Sequence, residues 1–147
     1  MNLMNMIIWM FIGSFIVQYY LMPFIMIDKL SNFTNNVGKA YMSFVMGFFM
    51  VLIELLMHDY PYKKIAFSMY GIVFLFIILL SFLYKKQIGI DDKQYLEGMI
   101  EHHSMAILTS EEIVKKSNNK EVSELANNII ALQKKEIQQM KNILKKL

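Results

Sequence analysis

Three stretches of this chain have one stable way to exist, as apolar helices: Met6 to Ile27, Val37 to Met57 and Ile65 to Tyr84. The first holds no charged residue, the second carries Lys39 near its start and Glu54 near its end, and the third is framed by Lys63, Lys64 and by Lys85, Lys86. At a rise of about 1.5 Å per residue, each run covers a hydrocarbon core about 30 Å thick. In such a medium a helix satisfies its own backbone and an irregular chain does not. Trp9 and the pair Tyr19, Tyr20 suit interfacial positions near the two ends of the first run. No Lys precedes that run and no small-residue cleavage pattern follows it, so it reads as a span and not as a signal peptide. The expectation is a multi-pass integral membrane protein, all-α, with the lipid bilayer as its first partner. Three spans place the two termini on opposite sides.

The chain is 56% hydrophobic, and the excess sits before Lys86, because most of the Lys, Asp and Glu lie between Asp91 and Leu147. Two regions follow: a three-span region over residues 1–86 and a polar helical region over 87–147. All fifteen basic residues are Lys and the net charge is only +3. Lys alternates with Asp and Glu on the C-terminal helices, so the basic stripe of a nucleic-acid binder is missing and nucleic acid is not an expected partner. With no Cys, the chain has no disulfide, no thiolate ligand and no Cys nucleophile, and any soft metal ligand must be a thioether. Lys29, Lys39, Lys85 and Lys86 lie on one side of the spans and Lys63 and Lys64 on the other, which favours a cytoplasmic C-terminal region by the positive-inside count.

Asp91 or Asp92 can cap a helix that runs to about Lys116, and Ser117, Asn118 and Asn119 break it. Asn118 followed at the third position by Glu121 resembles a capping box opening a second helix, from about Lys120 to Lys146. A loop this short makes the pair an antiparallel hairpin. At about 100° per residue, Tyr95, Met99, His102, His103, Ala106, Ser110 and Ile113 share one face of the first helix, with Glu97, Glu101, Glu111 and Lys115 pointing elsewhere. On the second helix Leu125, Ile129, Leu132, Glu136, Met140 and Ile143 share a face, with Gln133 at its border. A turn centred on Asn118 and Asn119 sets His102 and His103 opposite Lys135 and Lys134, with Gln133, Glu136 and Met140 within one helical turn. Met99, His102, His103, Glu136 and Met140 can then converge on one small volume. A buried charge or imidazole needs a partner or a metal. Two readings stay open: a metal site, or a His–Glu136 hydrogen bond that fixes the hairpin register with Met as core filler.

The string Met99-Ile100-Glu101-His102-His103-Ser104-Met105-Ala106, continued by Ala126, Gln133, Glu136-Ile137 and Met140, resembles the ferritin-like domain of unknown function 305. The resemblance covers about Gln94 to Leu144, and some bacterial members are similar over the whole chain, with three spans before the hairpin. The residue before the His pair is commonly Pro in that family and is Glu101 here. The resemblance implies a ferritin-like half-bundle, and members are linked to copper binding and metal tolerance. Many members are exported, which would put the hairpin outside and against the Lys count, so the side of the membrane stays open.

Ferritin-like di-iron sites use Glu-x-x-His on two helices, but Met99 and Ile100 stand three residues before His102 and His103. Thioether with imidazole suits Cu(I), with Cu(II) possible through the His pair; zinc competes less well because Met is a poor zinc ligand. No nucleophile and base arrangement and no Gly-rich phosphate loop is present, so no enzyme activity is expected. In the middle span, Met42, Met46, Met50, Glu54 and His58 recur every four residues as a slanting stripe. Ordinary packing Met accounts for most such stripes, yet an ionisable residue within a span is a functional candidate. Met46, Met50, Glu54 and His58 thus form a second candidate metal path, distantly similar in spacing to the Met-x-x-x-Met of three-span eukaryotic copper transporters. The sequence reads as a membrane-anchored copper-binding protein for metal handling or tolerance. A copper-conducting transporter and a structural or interaction module without metal are the alternatives. Two amphipathic helices make a thin core, so a homodimer or higher oligomer is expected.

Overall fold

The computed structural model describes residues 2–62 and 67–147. Lys63 and Lys64, which entered the charge count, and Ile65, the expected start of the third span, lie outside the described residues. Among the described residues all regular structure is helical. Three helices are long and apolar enough to cross a membrane: α1 (Leu3–Met26), α2 (Val37–Tyr62) and α3 (Phe67–Lys85). Two polar helices follow, α4 (Asp92–Lys116) and α5 (Lys120–Leu144). The chain packs as two compact units, one of Met1–Leu21 with Val37–Gly89, the other of Met22–Asn36 with Ile90–Leu147.

In the first unit, the buried side chains of Val51, Leu55, Val73 and Ile77 form the contact between α2 and α3, with Ile7 and Phe11 of α1 packed against them. Phe11 meets Phe48 edge-on at 4.9 Å, and Phe48 stacks on Phe76 at 5.0 Å. The outward faces are apolar as well: Trp9, Leu75 and Ile78 are largely exposed. A soluble helix reverses this arrangement, setting polar residues opposite its buried stripe. α1 passes through a π-helical turn at Val17–Leu21, around the Tyr pair, and Lys39 lies over the Tyr19 ring at 4.8 Å. α2 runs past its expected end at Met57 to Tyr62, because His58 and Asp59 end the apolar run without ending the helix. Gly89, at φ +72°, follows α3, and the Tyr41 hydroxyl donates to the carbonyl of Ile88 at 2.9 Å.

In the second unit α4 and α5 form the antiparallel hairpin. Asp91 caps α4 by accepting the Gln94 N–H at 2.8 Å. The cap of α5 is Asn119, one residue later than expected, whose side chain accepts from the N–H of both Glu121 and Val122. Asn119 stands two and three residues before those amides and reaches both, whereas Asn118 stands three and four before them. The core is Ile100, Ile107, Ile137 and Met140, with Leu96, Met99 and Leu144 against it. Lys134 bridges the helices to Glu111 at 2.7 Å. Residues 28–36 pack along α4 and complete the unit.

At Gly47 α1 and α2 pack tightly: a Cβ there would lie 2.9 Å from two ring carbons of Phe11 and 3.4 Å from its carbonyl oxygen. Gly47→Val should therefore force the helices apart, at a cost of about 1–3 kcal/mol. Gly71→Ala, where nothing lies within 4 Å of the new methyl, should be neutral or stabilising. Thermal unfolding of the two variants in detergent, followed by circular dichroism, compares them directly.

Candidate functional site

The sequence-predicted site lies along one flank of the hairpin. His103 projects toward α5, its side chain 14% exposed, with Nδ1 3.3 Å from Oε2 of Glu136. The facing residue is thus Glu136, two positions beyond the Lys134 expected from the turn. Met140 is buried in the hairpin core and Met99 packs against the same cluster. His102 turns outward and is exposed, its ring centroid 6.3 Å from that of His103. Neighbouring residues on a helix diverge by about 100°, so two consecutive His cannot both face one partner helix. The structure therefore brings together His103 and Glu136, beside a core that contains Met99 and Met140, and leaves His102 at the surface. Among the described residues no three His, Asp or Glu side chains converge.

The electrostatics of His103 are set by burial. Burial holds its proton affinity below the ordinary imidazole value; the Glu136 carboxylate opposes that shift, and the neighbouring His102 adds to it. The ring is neutral near pH 7, the form in which imidazole ligates metals. Although Glu136 is close, the geometry leaves His103 Nδ1 buried without a hydrogen-bond partner, and Oε1 of Gln133 is orphaned in the same way. Gln133 precedes Glu136 by almost one turn of α5, so both orphaned atoms lie along the same flank. Buried polar atoms are nearly always matched, and two on one seam are a cost that a bound cation would relieve.

The middle-span stripe changes surroundings along its length. Met42 and Met46 are exposed, Met50 is half-buried, Glu54 is buried among the core residues of the first unit, and His58 pairs with the buried Asp59 at 3.0 Å.

The opposite flank of α4 carries a polar cradle that apolar periodicity does not detect. Glu101, which points away from the His face as expected, is 4% exposed and accepts the Thr34 N–H at 3.0 Å and the Thr34 hydroxyl at 3.3 Å. Ser104, fully buried, accepts the Asp28 N–H at 2.9 Å and donates to the Asp28 carboxylate. Asn32 donates to Asp28 at 2.7 Å and accepts from Lys141 of α5. Two signals were available in the sequence. Residues 28–36 are crowded with Asp, Ser, Asn and Thr, the side chains that bond to nearby backbone, and Gly98 leaves that flank of α4 low enough for Asn36 to approach.

Because the unfolded chain takes up a proton at His103 near pH 6.5 and the folded chain resists it, stability should be complete above about pH 6.5 and decline as pH falls through the lower folded value. Melting curves at pH 7.5 and 5.5 should differ less in His103→Leu than in the wild type. Glu101→Ala should cost about 1–3 kcal/mol by leaving the Thr34 N–H unmatched, and Glu101→Gln, which keeps an acceptor, should cost less. Urea titration of both variants measures the difference.

Comparison with known proteins places these observations in a family. The model for a Domain of unknown function (DUF305) matches residues 83–146, which span both hairpin helices. The chain is 34% identical over 141 residues to "Uncharacterized protein L153" of Acanthamoeba polyphaga mimivirus, covering 95% of this chain and 91% of that protein. No solved structure matches the chain. With a relative aligned along nearly its full length, the chain belongs to one family with that viral protein, and its hairpin matches the domain of unknown function 305 (DUF305).

Proposed function

We propose that this chain is a multi-pass integral membrane protein whose C-terminal hairpin binds copper, for metal handling or tolerance. One observation carries the reading: His103 presents a buried, neutral imidazole whose Nδ1 has no hydrogen-bond partner, beside a carboxylate and against a core containing two thioethers. A register device would pair that nitrogen with Glu136, 3.3 Å away, but would leave the buried Oε1 of Gln133 on the same flank unmatched. Met99, His103 and Met140 supply a soft to borderline donor set suited to Cu(I), with Glu136 and the exposed His102 able to join for Cu(II). Zinc fits the thioethers less well. The membrane part rests on three helices of spanning length and composition. Conduction through the first unit has less support, since Met46 is exposed while Glu54 is buried, and the stripe does not line one continuous surface.

Competition for Cu(I) against a chromophoric chelator, with the full chain in detergent, tests the proposal. His103→Ala should weaken binding by at least about tenfold, equivalent to roughly 1.4 kcal/mol. Met99→Leu should weaken it less, with helix content unchanged in both by circular dichroism. Binding should decline below about pH 6.5 as protons compete for the imidazole. Equal binding by all three proteins, or binding by none, would refute the copper reading.

A further inference from the structure

The hairpin has two flanks, and residues 28–36 cover only one. On the other flank of α4, Tyr95, Met99, His102, Ala106, Thr109 and Ile113 follow one another at alternating steps of four and three. On α5 the corresponding series is Val122, Leu125, Ile129, Leu132 and Glu136, with Ile143 one heptad further on. A sustained three-and-four alternation is the seam by which one helix meets another at about 20°. Each hairpin helix therefore carries a second seam in addition to the one that joins it to its neighbour. Tyr95 is 53% exposed, Val122 41%, Leu125 61%, Leu132 53% and Ile143 40%. These five side chains alone leave on the order of 500 Å² uncovered, near the upper range of apolar patches on monomers and more than half of the area a standard interface takes from one partner.

We infer that this open face docks against the same face of a second copy, closing a four-helix bundle, and that His102 then stands at a metal site shared by the two copies. Two features select this occupant over a lipid surface. The seam holds a carboxylate, Glu136, at its middle, and an anionic headgroup layer repels a carboxylate set into the face that rests on it. The face is also self-complementary in kind: both of its helices offer the same spacing, with small Ala106 available opposite large Leu side chains, which is what an isologous two-fold contact requires. The two ionisable groups in the seam are His102 and Glu136, and they stand at one level, because Glu136 faces His103. Burying them needs partners or a metal. A two-fold centred at that level brings two His102 and two Glu136 together and supplies the ligands that one copy lacks.

The shared site rests on the copper reading; the docking does not, and the two are separable by experiment. Light scattering of the full chain in detergent with a copper chelator present should give a dimer mass. Leu132→Glu and Leu125→Glu should give a monomer mass with helix content retained. Because the chain has no Cys, Leu132→Cys should be trapped as a dimer in membranes by a short bismaleimide, and Gln138→Cys, exposed on the side of α5 turned from the seam, should not. A monomeric wild type, or a dimer that survives both Glu substitutions, would overturn the docking whatever copper does. With Cu(I), His102→Ala should leave the dimer intact and weaken binding several-fold, and Leu132→Glu should weaken it as well. If binding ignores both changes yet is lost in His103→Ala, the site lies within one copy and the shared site is overturned. If the wild type binds no copper, the copper reading and the shared site fail together, and the masses still decide the docking.

Discussion

Residues 28–36 contain only a single 3-10 turn, at Leu30–Asn32, so most of their backbone amides cannot find partners within the segment. Side chains of α4 take two of them. Glu101 and Ser104 accept the N–H groups of Thr34 and Asp28, and the Thr34 hydroxyl donates to the carbonyl of Glu97 at 2.9 Å. This fixes more than the loop. Glu101 and Ser104 bracket the His pair, so satisfying the connection also sets the rotation of α4 about its own axis. With one flank turned toward residues 28–36 and Ile100 and Ile107 against α5, His103 must project into the hairpin seam and His102 must leave it.

Burying carboxylates has a price that only good partners offset. Asp28 has three neighbours within one small volume, Ser104, Asn32 and, through Asn32, the ammonium of Lys141. Glu101 is matched to Thr34. On the far flank the matching stops: His103 and Gln133 keep orphaned atoms and the apolar side chains of α5 remain uncovered. One side of the same helix pair is chemically complete and the other is unfinished. That asymmetry is where binding, of an ion or of another chain, has something to gain.

Much of this was legible in the sequence. The three apolar helices, the start of α2 at Val37, the Asp91 cap and the end of α4 at Lys116 follow from hydropathy and capping chemistry, which are local. Helical periodicity also sets Met99, His103, Glu136 and Met140 along the hairpin seam, where the structure has them. Two things escaped. His102 and His103 were assigned to a common volume although adjacency on a helix drives them apart. Glu101 was set off the apolar face, as it is, but its burial depends on a partner 67 positions away that no local pattern encodes.

The cradle's hydrogen bonds to α4 join positions 63 to 76 residues apart, which makes the second unit discontinuous along the chain and gives its assembly an order. When residues 22–36 leave the ribosome, the helices that will satisfy them do not yet exist, and they must wait for α2, α3 and then α4 to be synthesised. Closing a loop of that length is slow and its entropy is spent before any contact repays it. Until α4 arrives, Asp28, Asn32 and Thr34 keep their hydrogen bonds with water. Their polarity, which looks wasteful beside two apolar helices, keeps the connection soluble during the interval and is then reused, unchanged, to hold the finished hairpin.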